Sequence, residues 1–321
     1  MLLALCAFLT ALAVSWVSIP LAYKLAVRYG VIVHPDARRV HSEPTPLWGG
    51  IAIWLGVVAG IACAEVYEIV TNSPSVITPQ VWVLLTAATV VAVIGMLDDK
   101  YQLSAAWQAL ALVGIALAVA LLGIRIDFVT NIFGESQMLP LGAWAVPVTV
   151  IWLFGATKTV DLVDGLDGLC AGVCAIASCA LAIMAIFLGS LSVAAVCAAV
   201  TGASLGFLRF NFPPARIFMG TIGSQFMGFV IAGAAVIGAF KVAAAVAFLV
   251  PIFALGVPIF DAVFAVIRRA LKGAPLHQAD KGHIHHRLLD LGLNQRQAIL
   301  VLYAATFLLS AAALVIFSTV R

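Results

Sequence analysis

The stretch KTVDLVDGLDGL, residues 158–169, places three carboxylates between two long apolar runs of the chain. They belong to Asp161, Asp164 and Asp167, which follow one another at three-residue intervals. A carboxylate beside hydrocarbon loses its hydration, and three neighbouring acids repel one another unless a cation neutralises them. A solvated loop between membrane helices is the alternative, but such a loop needs no set of three acids with two glycines. We therefore interpret the stretch as the centre of a functional site.

The composition places this stretch in a membrane protein. Of the 321 residues, 64% are hydrophobic and only 10% are charged, which leaves too little polar surface for a soluble domain. A backbone in lipid must satisfy its own hydrogen bonds, so the spanning runs should be helices. We predict an all-α polytopic integral membrane protein, a single domain of about ten transmembrane helices. The apolar runs are 2–27, 48–69, 80–97, 103–124, 143–157 (a short one), 168–188, 190–208, 221–240, 243–267 and 298–319.

The basic residues predict the orientation of this bundle. The first charges, Lys24 and Arg28, follow the first apolar run, which is the reverse of a cleavable signal peptide and predicts an outside N-terminus. Fourteen of the 17 Lys and Arg then lie at the cytoplasmic face of the cell membrane, and both termini lie outside. A transporter would bury more polar groups at mid-membrane depth, where Asp261 is the one serious candidate. The cytoplasmic connections are 28–47, 98–102, 157–167, 207–220 and 268–297.

The first cytoplasmic connection carries a compact basic cluster. Arg38 and Arg39 are flanked by His34 and His41, and three prolines exclude a long helix. Two arginines alone would indicate a membrane anchor of the positive-inside type. The added histidines and prolines favour an ordered anion site.

The last cytoplasmic connection contains a histidine motif, HIHH, formed by His283, His285 and His286. A zinc site with Asp280 or Asp290 is one interpretation. The neighbouring Lys and Arg residues disfavour a cation, so a bound anion is the better hypothesis.

The third run ends in Asp98 and Asp99, where the chain leaves the membrane. Two acids at a helix C-terminus oppose the macrodipole, so they indicate metal binding or general-base work rather than stability. Farther along, the segment from 207 to 229 contains Asn211, Thr221 and Ser224 among several glycines. Its glycines and hydroxyls suit either a phosphate at a helix start or close helix packing, and the spacing leaves both open. One membrane face thus joins carboxylates, which hold Mg²⁺, to basic groups, which hold phosphates.

Five motifs in order resemble the bacterial polyprenyl-phosphate N-acetylhexosamine-1-phosphate transferases, glycosyltransferase family 4. Those motifs are the Arg- and His-bearing first connection ending in Gly-Gly, Asp98-Asp99 with Leu103 as DDxxxL, DGLDGL at 164–169, RFNFPPARIFMG followed by GSxFxGF, and GHIHHRL. The resemblance covers almost the whole chain, and it is greater to the branch that uses UDP-N-acetylglucosamine. It implies Mg²⁺-dependent transfer of a sugar 1-phosphate, most simply N-acetylglucosamine 1-phosphate, from a UDP-sugar to undecaprenyl phosphate.

The resemblance also implies roles for individual residues. Asp98 and Asp99 would position the lipid phosphate, while Asp164 and Asp167 would organise the metal and nucleotide site. The residues expected to contact substrate are Arg38, His41, Lys158, Asn211, Ser224, His283, His285, His286 and Arg287. The metal is expected to be Mg²⁺, with Mn²⁺ as the alternative. The expected partners are a UDP-sugar, a polyprenyl phosphate and the membrane, with no nucleic acid; a homodimer stays open.

Two departures from the family pattern concern the metal. The family usually reads NxxNxxDG where this chain has Lys158 and Asp161, and GDxGS where it has Thr221. One hypothesis is relocation, in which Asp161 supplies the charge and Thr221 keeps an oxygen ligand. The alternative is a catalytically degenerate membrane protein that binds a nucleotide-sugar or polyprenyl phosphate without turnover.

Overall fold

The fold is a bundle of long helices, as predicted. A computed structural model describes residues 1–33, 44–72, 76–130, 138–239, 252, 255–271 and 284–320. Within these residues, eight helices are long and apolar enough to cross a membrane, and α4 is a shorter apolar helix. The helices are α1 (Leu2–Arg28), α2 (Gly50–Val70), α3 (Pro79–Tyr101), α4 (Ala105–Leu121), α5 (Ala145–Val163), α6 (Leu169–Phe187), α7 (Leu191–Asn211), α8 (Gly220–Ala239), α9 (Gly256–Leu271), α10 (Ile284–Asp290) and α11 (Gln295–Val320).

Two short antiparallel strand pairs complete the described structure. The strands β1 (Ile32–Val33) and β2 (Thr45–Pro46) pair within the first predicted cytoplasmic connection. The strands β3 (Phe128–Thr130) and β4 (Met138–Pro140) pair between α4 and α5, at the other end of the bundle. The prolines and glycines of these connections are compatible with short strands and not with a continued helix.

One predicted boundary is wrong and one lies partly outside the described residues. The fifth span does not end near residue 157, because α5 continues to Val163. Val160 and Val163 are buried and continue its apolar face, while Lys158 and Asp161 find hydrogen-bond partners on neighbouring helices. The ninth predicted span coincides with α9 only in its second half, since most of residues 240–254 lie outside the described part of the chain.

The core of the bundle is formed by α6, α7 and α8, which are the most buried of the eight candidate membrane-spanning helices. Small side chains allow α1, α2 and α7 to approach closely, as is typical of helix packing in lipid. Hydroxyls add hydrogen bonds between helices: Ser178 and Thr201 join α6 to α7 at 2.8 Å, and Ser15 donates to the Ala203 carbonyl at 2.8 Å. These contacts hold α1, α6 and α7 together and so fix the positions of their ends.

The described parts of the connections predicted to be cytoplasmic lie at one end of the bundle. The Phe218 amide donates to the Pro46 carbonyl at 2.8 Å, and the Gly50 amide donates to Met219 at 2.9 Å. The Gly168 amide donates to the Asn211 side chain at 2.8 Å. Hydrogen bonds therefore join the loops before α2, α6 and α8, and this end of the molecule contains Asp98, Asp99, Asp161, Asp164 and Asp167.

Candidate active site

Asp99, at the last turn of α3, points at the first turn of α8. Its carboxylate accepts the backbone N–H of Thr221 at 2.8 Å and that of Ile222 at 3.4 Å. Gly95 makes this approach possible, because a Cβ there would lie 2.7 Å from the Ile222 backbone. The positive end of the α8 dipole therefore compensates the acid that the α3 dipole disfavours. The Thr221 and Ile222 amides therefore donate to Asp99, although a phosphate bound at the start of α8 would need such amides as donors.

Asp98 uses both of its carboxylate oxygens within the protein. Thr221 Oγ1 donates to Oδ2 at 3.1 Å, and the Gln108 side-chain amide donates to Oδ1 at 2.7 Å. The two donors come from α8 and α4, so Asp98 links three helices. Thr221, predicted as a metal ligand, is instead engaged as a hydrogen-bond donor to an acid.

Asp161, on the last turns of α5, is enclosed by donors. Ser224 Oγ donates to Oδ1 at 2.6 Å, and Gln225 Nε2 donates to Oδ2 at 3.1 Å. The Lys158 ammonium reaches the same Oδ2 at 2.9 Å, and the two side chains of this ion pair are 25% and 20% exposed. Charge-assisted bonds of this kind are stronger than neutral ones. Asp161 is therefore neutralised and held by the protein itself.

Lys158 and Gln108 close these contacts into a ring. Lys158 Nζ donates to Gln108 Oε1 at 2.9 Å, while the Gln108 amide nitrogen donates to Asp98. Thr221, which donates to Asp98, and Ser224, which donates to Asp161, are one turn apart on α8, and this turn closes the ring. We call this set the polar ring; its members are Asp98, Gln108, Lys158, Asp161, Ser224 and Thr221. It joins α3, α4, α5 and α8 at the functional end of the bundle.

Asp164 follows directly after α5 and has different surroundings. No described group donates a hydrogen bond to its carboxylate, although it is enclosed by protein and only partly accessible. Burial raises the pKa of Asp164 from its ordinary value of 3.8 to about 8. The negative charges of Asp161, Asp99 and Asp167 contribute to this increase. A divalent cation would relieve both the burial cost and the repulsion.

The connection between α5 and α6 is held in place by its neighbours. We call it the acidic turn, residues 164–168. Asp167 accepts the Ala215 amide at 3.0 Å, and Asn211 bridges the Gly168 amide and the Ile217 carbonyl. Asn211 is 3% exposed and positions the turn through these two hydrogen bonds, while its predicted contact with substrate stays a prediction.

The last helix supports the same region. Tyr303 donates its hydroxyl to the Gly168 carbonyl, and Arg296 Nε donates to the Pro213 carbonyl at 3.0 Å. Gly168 has a φ of +75°, a conformation that glycine adopts without strain, so the turn can present this carbonyl to α11. The acidic turn is thus fixed from two sides.

The basic part of the predicted site is only partly described. Arg38, His41 and His283 lie outside the described residues. His285 and His286 belong to α10, but their side chains are not among those described, and Arg287 is exposed. Asp261, predicted as a membrane-embedded site candidate, is buried in α9 and accepts the Ile284 amide at 2.8 Å, so it attaches α10 to the bundle.

A divalent cation fits the acidic turn better than it fits the polar ring. The described residues contain no ready-made group of three acidic, histidine or cysteine side chains for a metal. Mg²⁺ needs only one or two carboxylates when phosphate oxygens and waters complete its coordination. Asp164 can serve in this way because its oxygens have no described donor. The oxygens of Asp161 and Thr221 take part in hydrogen bonds within the protein, and their assignment as a metal-ligand pair stays a prediction.

Gln108 and Gln225 were missed by the sequence interpretation. Each is a single amide in an otherwise apolar stretch, WQALALVG and GSQFMGF, and a lone amide near a helix end is the signal that could have found them. Tyr303 was missed too, and its place in the apolar run LVLYAATF gives no comparable signal.

Comparisons with known proteins agree with the geometry. Residues 81–239 match the family described as Glycosyl transferase family 4. A Bacillus subtilis (strain 168) protein named as a probable undecaprenyl-phosphate N-acetylglucosaminyl 1-phosphate transferase is 38% identical over 310 residues, which cover 97% of this chain and 84% of that protein. A decaprenyl-phosphate N-acetylglucosaminephosphotransferase of Mycolicibacterium smegmatis is 32% identical, with 92% and 77% covered. An undecaprenyl-phosphate alpha-N-acetylglucosaminyl 1-phosphate transferase of Escherichia coli K12 is 27% identical, with 90% and 77% covered. This chain is therefore a multi-pass membrane protein that belongs to glycosyl transferase family 4.

Proposed function

We propose that this protein transfers N-acetylglucosamine 1-phosphate from a UDP-sugar to a polyprenyl phosphate, with undecaprenyl phosphate as the first candidate. An oxygen of the lipid phosphate forms a bond to the β-phosphorus of the UDP-sugar. The bond between that phosphorus and the bridging oxygen breaks, and UMP leaves with this oxygen. The products are a polyprenyl-diphosphate sugar and UMP.

The observation that carries this proposal is the convergence of Asp98, Asp99, Asp164 and Asp167 at one end of a membrane bundle. Phosphoryl transfer needs positioning and charge neutralisation more than covalent chemistry. A site between helix ends suits one lipid substrate and one soluble substrate, because the lipid can enter from the membrane and the UDP-sugar from the aqueous solution. The names of the three relatives, which describe transfer to undecaprenyl or decaprenyl phosphate, support the same reaction.

We assign the cation to Asp164, assisted by Asp99 or Asp167 and by substrate phosphate oxygens. Bound Mg²⁺ would supply neutralisation of the diphosphate charge at the reacting phosphorus. Asp98 and Asp99 are fixed by Gln108 and by the α8 amides, so they provide a rigid wall of the site. Asp167 and Asn211 position the acidic turn, and the basic residues of the first and last connections bind phosphate or sugar.

The orientation belongs to the same proposal. The site faces the cytoplasm, where a UDP-sugar is available, because most Lys and Arg residues lie in connections at this end. Both termini would then face away from the cytoplasm. Accessibility labelling of single cysteines at the two bundle ends tests this arrangement.

A second candidate function is non-catalytic binding of the nucleotide-sugar or the polyprenyl phosphate. The observation that favours it is the neutralisation of Asp161 by Lys158, together with the absence of a carboxylate at Thr221. In this case the polar ring would be a closed structural unit next to a site that binds without turnover.

The experiment is UMP release by the purified protein in nanodiscs containing undecaprenyl or decaprenyl phosphate, with Mg²⁺ and a panel of UDP-sugars. UMP that appears only with lipid phosphate and metal, and disappears in Asp164→Asn, supports the transferase. UDP-sugar binding without UMP from any sugar would refute it in favour of the binder. The matched control is Lys100→Met, because Lys100 lies over the rings of Tyr29 and Tyr101 and outside the polar ring.

A further inference from the structure

Lys158 is a positive charge held among the site acids. Its ammonium contacts Asp161 Oδ2 and Gln108 Oε1, each at 2.9 Å. Within the described residues it is the one cation in ion-pair contact with the site acids. Among the described residues, Lys158 is thus the positive charge paired with a region that contains five carboxylates.

The surroundings fix this ammonium in place. The Gln108 amide nitrogen is engaged by Asp98 Oδ1 at 2.7 Å and by the Leu103 carbonyl at 3.3 Å, so the amide oxygen must face Lys158. Asp161 is oriented from the opposite side by Ser224 and Gln225 on α8. An ammonium held by two acceptors on different helices keeps one N–H free, so it stays a localised charge at this point.

The fixed charge has a consequence for cation binding. It occupies the Oδ2 position at which Asp161 could bind a divalent ion, and it repels any cation held a few ångströms away. Asp164, three residues further on, has no such partner among the residues that the structure describes. A divalent ion is therefore confined to the acidic turn.

We propose that Lys158 is a built-in counter-ion that closes Asp161 to divalent cations and lowers the cation affinity of the site. This inference rests on the cation site assigned in the proposed function. It predicts that removal of the Lys158 charge strengthens cation binding and that Asp161 is required for the gain.

The test is Mn²⁺ binding, measured by the loss of the free-ion electron paramagnetic resonance signal, in nanodiscs of uncharged phosphatidylcholine. Lys158→Met should bind Mn²⁺ roughly tenfold or more tightly than the unmodified chain, because a nearby positive charge is removed in a partly buried setting. Lys158→Arg keeps the charge and should stay within about twofold of the unmodified chain. Lys100→Met removes an equal charge outside the polar ring and should also leave the affinity almost unchanged.

A double variant separates the specific effect from general electrostatics. If Lys158 acts through Asp161, the gain from Lys158→Met should be much smaller when Asp161→Asn is already present. Unchanged or weaker Mn²⁺ binding by folded Lys158→Met would overturn the inference, and so would an equal gain in Lys100→Met or no binding by any protein. If Lys158→Met cannot be purified as a monodisperse protein, Lys158→Gln provides the same loss of charge with a polar side chain.

The result is independent of turnover. The predicted pattern of Mn²⁺ affinities without UMP release would refute the proposed function and support the role of Lys158. UMP release by the unmodified chain, together with an unaltered Mn²⁺ affinity in Lys158→Met, would support the proposed function and refute the role of Lys158.

Discussion

Asp161 and Asp164 lie three residues apart, yet their surroundings are opposite. Asp161 belongs to the polar ring, where Lys158, Ser224 and Gln225 donate to its two oxygens. Asp164 belongs to the acidic turn, where no described donor reaches its carboxylate and burial raises its pKa to about 8. Residue type and spacing are the same for both acids, so the difference comes from the helices that face them.

This difference separates two uses of a buried acid. A carboxylate that is fully hydrogen-bonded and ion-paired connects helices and is satisfied without any ligand. A carboxylate without donors stays costly until a cation or a proton neutralises it. We therefore propose that the polar ring is structural and that the acidic turn is the part of the site that binds the cation.

The largest expected effect is on turnover. Asp164→Asn should lower the rate of UMP release by a factor on the order of a thousand, because the cation loses its principal carboxylate. Asp161→Asn makes the same carboxylate-to-amide change but should cost roughly tenfold, since the amide can still accept from Lys158. Steady-state UMP release by both variants checks this ratio, and a greater loss in Asp161→Asn would restore the relocation hypothesis.

A smaller effect is expected from the support of the acidic turn. Tyr303→Phe removes the hydroxyl that holds the Gly168 carbonyl, so turnover should fall roughly tenfold through misplacement of Asp164 and Asp167. Its control is Tyr67→Phe, which also removes one tyrosine hydroxyl but at the end of α2 that is far from the acidic turn. Equal rates for the two variants would show that α11 does not position the turn.

The polar ring predicts a change in stability. Thr221→Val deletes the donor to Asp98 Oδ2 and should cost about 1 kcal/mol of unfolding free energy, or roughly 2–4 °C in Tm. Thr221→Ser keeps the hydroxyl and should unfold close to the unmodified chain. Thermal unfolding without divalent cations measures both, and an unchanged Tm in Thr221→Val would indicate that the hydroxyl is not engaged in the ring.

Asp164 in the acidic turn should make the stability of the fold fall as the pH rises, whereas an ion-paired acid makes it rise. The folded chain keeps a proton on Asp164 up to its pKa of about 8, whereas the unfolded chain releases it near 3.8. Stability therefore falls as the pH rises between these values and levels off above about 8. Asp164→Asn lacks this penalty, so its Tm should exceed that of the unmodified chain near pH 9, and the difference should become smaller toward pH 5. A pH-independent difference in thermal unfolding would contradict this account.

The sequence was sufficient to predict the fold class and the region of the site. Long apolar runs predicted the helices, and the positions of Asp98, Asp99, Asp164 and Asp167 at run ends predicted that they share one end of the bundle. The hairpin-like connections and the close approach of α3 to α8 follow the glycine and proline signals of the chain.

The partners of each acid could not be predicted from the sequence. Whether α5 ends before or after Lys158 decides which way Asp161 points, and helix ends are the least certain feature of a sequence pattern. The donors that enclose Asp161 come from α8, more than 60 residues away, and Gln108 comes from α4. The family resemblance implied Asp161 and Thr221 as metal ligands, and nothing in the sequence indicated the hydrogen bonds that join both residues to the polar ring.

The most direct test of this account is Mn²⁺ binding by the unmodified chain, Asp164→Asn and Asp161→Asn, measured in the same uncharged nanodiscs. The two variants make the same carboxylate-to-amide change three residues apart, so they compare the two acids directly. The account predicts that Asp164→Asn loses nearly all binding and that Asp161→Asn keeps most of it. Loss of binding in Asp161→Asn with retention in Asp164→Asn would contradict the assignment of the acidic turn as the open part of the site.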